Sequence, residues 1–320
     1  MKKYIFLVAL VALLAGCKKE SEAEKKIAAI PVPEVKIERF DKEFFAKGPQ
    51  GLVELKQKFP YLFPEGNADA VWVNKMQDPF MLKLKAEVDK KFSNINQLED
   101  EVGAFLQHVK YYYPQLPTPK VVTLVSDDTD IKAVYTPEVI LIPLSLYLGK
   151  DNYLYEGLNK YEIQQYVPEQ IMPDITSSFM YGKIAPPRDR QLLSLMIYWG
   201  KELYAKDLLI PDTPENDRIG YTKEQMAWAA ANETEIWRYF VDKKLLYDSD
   251  PKLPARFINP APFSKFYLEL DNESPGRIGQ WIGWQIVKAY AENNKNVTLQ
   301  DLLAMDAKTI FDNSKYKPKK

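Results

Sequence analysis

Residues 121–142 read VVTLVSDDTDIKAVYTPEVILI, and they decide the fold class. Val121 to Val125 is rich in β-branched residues and reads as a strand. Ser126-Asp127-Asp128-Thr129-Asp130 is an acidic turn. Ala133-Val134-Tyr135 and Val139-Ile140-Leu141-Ile142 read as two further short strands, and Pro137 and Pro143 keep the last one brief. Upstream, Val35-Lys36-Ile37-Glu38-Arg39-Phe40 alternates apolar and polar residues, as a half-buried strand does. The rest of the chain is mostly helical in pattern. The expected fold is therefore α+β and mainly helical, with a small mixed sheet packed by many helices.

The helical signals surround this sheet. Leu52 to Phe59 is a short amphipathic helix stopped by Pro60. Gln77-Asp78-Pro79 starts a helix over 80–91. In Asn96 to Tyr113, Leu98, Val102, Phe105, Leu106, Val109 and Tyr113 share one face. Tyr161 to Tyr181 is broken by Pro168 and Pro173, and Asp189 to Leu208 follows Pro186-Pro187. Thr222-Lys223-Glu224-Gln225 is a capping box opening a helix to about Leu246. Ser274-Pro275 supplies an N-cap and a first-turn proline for a helix to about Asn293, and Thr298 to Asp301 is a further capping box. No period of 20–50 residues repeats, which excludes solenoids and propellers.

The N-terminus is an address. Lys2 and Lys3 precede an apolar run from Tyr4 to Leu14, and Leu14-Ala15-Gly16-Cys17 closes it. That run is about half the roughly 20 residues that a spanning helix needs, so residues 1–16 read as a signal peptide. L-A-G-C is a lipobox: Cys17 is expected to receive diacylglycerol and to become the new N-terminus. The alternative is an ordinary cleavage site that ends in Cys. Residues 17–30 are expected to form a polar tether, residues 31–314 a single globular domain, and residues 315–320 a frayed basic tail. Lys18 follows the lipid Cys where an inner-membrane retention signal would place Asp. The expected location is therefore the outer membrane facing the periplasm, with surface exposure as the second reading.

Composition removes whole classes of chemistry. The 320 residues hold 43 Lys+Arg against 44 Asp+Glu, so no nucleic-acid partner is expected from bulk charge. One His and one Cys cannot build a Cys₄, Cys₂His₂, His₃ or H-E-x-x-H zinc centre within one chain. No metal and no cofactor beyond the lipid on Cys17 are expected. His108 reads as a structural histidine on its amphipathic helix. Asp127, Asp128 and Asp130 lack the Gly and distal Glu of a calcium loop and read as a solvated turn. Ser314-Lys315-Tyr316-Lys317 matches S-x-x-K only by chance, because it stands in a basic tail. Trp199, Trp228 and Trp237 read as core.

The most unusual stretch is Ser274 to Tyr290, SPGRIGQWIGWQIVKAY. Gly279 and Gly283 stand four apart on one helical face, among Trp281 and Trp284. Each glycine costs about 1 kcal/mol relative to Ala in a helix interior, so the pair marks either tight helix packing or a partner contact. Arg277 in the first turn opposes the helix dipole, and is expected to meet a carboxylate or a partner.

The lipobox at Cys17, VKIERF at 35–40, IPLSLYLG at 142–149, MIYWGK at 196–201 and SPGRIGQWIGWQIV together resemble the gliding-motility-associated lipoprotein B family (GldB) of the Bacteroidetes. The resemblance covers nearly the whole mature chain. It implies a membrane-anchored lipoprotein supporting gliding motility and type IX protein secretion, with proteins of that machinery as partners. The family is distantly similar to zinc peptidases of bacteria, which implies a zincin-like architecture. There a helix carries H-E-x-x-H, whereas here the corresponding stretch, Tyr161 to Tyr181, holds no His and only Glu162, Glu169 and Asp174 as carboxylates. The resemblance therefore implies a non-catalytic, peptidase-like envelope subunit without a metal. A carboxylate-based hydrolase and a peptide- or glycan-binding lipoprotein stand as alternatives.

Overall fold

The computed structural model describes residues 22–269 and 271–319. The signal peptide and Cys17 lie outside the described residues. The first element is helix α1 (Glu22–Ala28). It occupies part of the stretch expected to be a solvated tether, yet Ile27 is buried and Gln107 Nε2 donates to the Ile30 carbonyl at 2.5 Å. Strand β1 (Ile37–Arg39) is shorter than its alternation suggests. Phe40 already opens α2 (Phe40–Lys47), because its ring is needed in an aromatic cluster with Phe44, Phe59 and Phe63. Helices α3 (Leu52–Lys58), α4 (Asp69–Gln77), α5 (Pro79–Lys91) and α6 (Asn96–Tyr112) follow. Asp78 accepts from the amides of Phe80 and Met81, as the Asp-Pro start implies.

Strands β2 (Lys120–Leu124), β3 (Val134–Tyr135) and β4 (Val139–Pro143) complete a mixed sheet of order β1-β2-β4-β3. The β1–β2 and β2–β4 pairs are parallel and β3 runs antiparallel to β4, with Val121 opposite both Ile37 and Ile140. Side chains alternate across β2 and β4. Val121, Ile140 and Ile142 enter the main core, while Val122 and Val139 face the smaller aromatic cluster.

The second half is helical: α7 (Lys160–Ile163), α8 (Ile171–Met180), α9 (Leu192–Leu209), α10 (Glu215–Ile219), α11 (Lys223–Ala231), α12 (Glu233–Asp242), α13 (Leu253–Phe257), α14 (Ile278–Asn293), α15 (Leu299–Ala304) and α16 (Ala307–Ser314). The Thr222–Gln225 capping box is formed in both directions, and Thr298 caps α15. The helix expected from Asp189 starts at Leu192, and two further boundaries differ from the sequence reading. The helix expected over 222–246 divides at Asn232, whose side-chain amide donates to the Trp228 carbonyl at 2.8 Å. The helix expected from Ser274 starts at Ile278, because the Ser274 hydroxyl donates to the Ser264 carbonyl at 2.9 Å. The amide of Ile278 is met instead by the Ser264 hydroxyl at 3.2 Å, a cap delivered from a distant loop. The basic tail is docked: Tyr316 packs on Trp237 at 5.1 Å and its hydroxyl donates to Glu233 at 2.8 Å. Among the described residues no helix is long and apolar enough to cross a membrane.

Candidate functional site

Helices α9 and α14 cross at glycine. A Cβ on Gly283 would stand 1.8 Å from the Met196 carbonyl oxygen, and one on Gly200 would stand 2.3 Å from the Gly283 carbonyl. A Cβ on Gly279 would likewise stand 2.9 Å from the Phe257 carbonyl oxygen and from Ile258 Cδ1. Trp281 and Trp284 are buried in the core. These four residues of the unusual stretch therefore pack the molecule's own helices. Trp284 also ties α14 to α9 through a polar contact. Its indole N–H donates to Asp207 at 2.8 Å, and Asp207 pairs with Arg218 at 2.6 Å. Burial raises the Asp207 carboxyl, with Lys288 and Arg218 opposing.

Arg277 is different. It stands at the N-cap of α14 with φ +62°, a left-handed backbone that costs a non-glycine residue about 1–2 kcal/mol. From there its side chain lines a cavity of about 200 Å³. Helix α8 contributes Asp174 to this cavity, α9 contributes Glu202 and Lys206, and Lys132 enters from the segment before β3. Lys132 pairs with Asp174 at 3.1 Å, and Tyr147 donates to the same carboxylate at 3.0 Å. Lys206 pairs with Glu202 at 3.3 Å, and Ser177 donates to Glu202 at 2.7 Å. Arg277 forms no ion pair among the described residues. Its Nη2 donates to the Gly220 carbonyl at 3.2 Å, and the guanidinium lies 5.6 Å from the centre of the Tyr221 ring. Burial pulls the guanidinium down from its ordinary value, although it remains charged at any working pH. Gly220, at φ +71°, ends α10 and brings its bare α-carbon against this group: a Cβ there would lie 3.3 Å from Nη2.

Three larger clefts have about 450, 390 and 330 Å³; the first is lined in part by Tyr112 and Tyr204, the other two by Lys201 and His108. Several of their polar groups are occupied by helix ends. Lys201 donates to the Leu303 and Met305 carbonyls, Asp306 caps α16, and His108 Nδ1 meets the Leu208 carbonyl at 2.6 Å. The other sequence candidates are spent on structure as well. Ser314 is buried with its hydroxyl on the Phe311 carbonyl, while Asp127 pairs with Lys75 and Asp128 closes its own turn onto Asp130. Trp199 lines the Arg277 cavity, and Trp237 packs on Tyr316 and Phe311. Of the three carboxylates in the stretch where a zinc helix would stand, Asp174 alone lines this cavity. Among the described residues no group of three His, Cys, Asp or Glu side chains could hold a metal ion. Glu202 and Lys206, i and i+4 on α9, do not stand out in the sequence. Their spacing is ordinary for a solvated helix pair, so it carries no signal of a cavity.

A family model described as gliding motility protein GldB matches residues 20–318. No curated protein and no solved structure matches the chain.

Proposed function

We propose, from the premise that this chain belongs to the GldB family of gliding motility proteins, that it is a lipid-anchored, non-catalytic subunit of the cell envelope. In this reading it supports gliding over surfaces and the type IX secretion that accompanies it, through protein partners of that machinery. It sits on the outer membrane and faces the periplasm. The observation that carries the reading is the family match across residues 20–318, joined to the L-A-G-C sequence that ends at Cys17.

Two features of the molecule support it. Cys17 precedes α1 by five positions, and a chain spans at most ~3.5 Å per residue. A lipid on Cys17 would thus hold α1, and the α6 on which it packs, within roughly 20 Å of the bilayer. We read the cavity between α8 and α9 as the counterpart of a zincin-like cleft. Asp174 and Glu202 there are each bound to a lysine and to a hydroxyl. Carboxylates committed in this way favour binding over proton transfer.

The decisive experiment is deletion of the gene in its source bacterium, followed by complementation. The expected result is loss of surface spreading and of adhesin delivery, with rescue by wild type and not by Cys17→Ala. Normal spreading in the deletion strain would overturn the gliding role. Full rescue by Cys17→Ala would overturn the anchor.

A further inference from the structure

We propose that the Arg277 cavity binds a single carboxylate carried on a group of amino-acid size, either a free amino acid or the C-terminal residue of a peptide. The inference rests on the cavity alone and does not depend on the gliding assignment.

Lys132, Lys206 and Arg218 each have their own carboxylate, in Asp174, Glu202 and Asp207. Arg277 has one backbone carbonyl and one aromatic face in direct contact, and feels Asp174 and Glu202 only across the cavity, without an ion pair to either. A guanidinium offers five donors in a planar fork that matches a carboxylate through two parallel hydrogen bonds. A half-buried cation without an ion pair of its own is under-compensated, and a bound anion would supply that partner.

The anion's charge and size follow from the same walls. Asp174 and Glu202 share the cavity with Arg277, so a dianion such as phosphate would meet two like charges, whereas a monoanion leaves the cluster neutral. The volume of about 200 Å³ lies below the ~300 Å³ at which pockets for larger ligands begin. It suits one residue, not a chain threaded through. The two sources differ in what the acidic wall would see. A free amino acid would turn its ammonium toward Asp174 and Glu202, and a peptide terminus would offer an amide N–H.

The experiment is calorimetric titration of the full-length lipoprotein in detergent micelles. The probes are alanine, leucine and phenylalanine, each as the free amino acid, the N-acetyl amino acid and the N-acetyl amide, together with inorganic phosphate. Saturable one-to-one binding of a free or N-acetylated carboxylate, with none for the amides, is the expected result. The form that binds identifies the source. Arg277→Lys, which keeps the charge and loses the fork, should weaken that binding at least tenfold. Arg277→Gln, which removes the charge and keeps a polar side chain, should abolish it, giving a second variant if the first folds poorly. Failure of every carboxylate to bind overturns the proposal. So does binding of phosphate alone, or of amides as tightly as acids, or unchanged affinity in a folded Arg277→Lys protein.

Discussion

Gly283 meets the backbone of Met196 so closely that a β-carbon on the glycine would lie 1.8 Å from the methionine carbonyl oxygen. The obstacle is main chain, which cannot swing aside as a side chain can. Helix α9 and helix α14 therefore touch backbone to backbone, and this crossing sets how far Glu202 and Lys206 stand from Arg277. Gly283→Ala should destabilise the protein by about 3 kcal/mol or more, despite the ~1 kcal/mol that alanine gains in helix propensity. Gly279→Ala should cost less, because one of its two nearest neighbours is the mobile end of Ile258. Urea unfolding of both variants checks the order. Equal stability of Gly283→Ala and wild type would refute the crossing.

Trp284 and Asp207 join the same two helices by a hydrogen bond of 2.8 Å. Trp284→Phe keeps most of the ring and removes the donor, leaving a half-buried carboxylate oxygen short of a partner. A loss of about 2 kcal/mol is expected. Because the indole also holds the Asp207 carboxyl down against its burial, the variant should raise that pKa further. Carboxylate NMR titration of Asp207 reads the second effect, and an unchanged or lower midpoint would contradict it.

His108 is the single imidazole of the chain, so its titration can be followed by NMR without assignment variants. Burial lowers it below its ordinary value of 6.5, against the Leu208 carbonyl and Asp212. The unfolded chain then takes up this proton more readily than the folded one. The contribution of this group is complete above pH 6.5 and declines as pH falls from there to the folded pKa. His108→Gln should flatten that part of the stability profile. A measured midpoint at or above 6.5 would show that the ring is not desolvated.

Tyr316 holds the C-terminal segment to the body through Glu233, a buried carboxylate, and through the Trp237 ring. Deleting residues 315–320 should therefore cost about 2 kcal/mol, since it strips a buried acceptor of its donor and uncovers an indole. A thermal midpoint within a degree of wild type would restore the frayed tail that the run of lysines suggests.

Arg277 combines a left-handed backbone with a cation that lacks a carboxylate partner. Arg277→Gly relieves both, and should raise the thermal midpoint while abolishing the carboxylate binding proposed above. A residue kept only for structure would give the opposite sign, a lowered midpoint.

Features decided between neighbours along the chain are legible from the residues alone. The β-rich runs at 121–125 and 139–142 and the apolar face of Leu98 to Val109 are enough for an α+β body. Asp78, Thr222 and Thr298 marked helix starts because a capping side chain reaches only two or three residues forward. The family resemblance was legible for the same reason, being carried by short runs such as MIYWGK and SPGRIGQWIGWQIV. Gly279 and Gly283 announced a close approach without saying to what. The partner surface around Met196 and Phe257, the Ser264 hydroxyl that caps α14, and the break at Asn232 all required the folded chain. So did the cavity. Asp174, Glu202, Gly220 and Arg277 come from separate elements and meet only once α9 and α14 have crossed. Periodicity states which face of a helix leaves water; it carries no information about which charge from a distant segment that face will meet, and that meeting is what leaves Arg277 without an ion pair of its own.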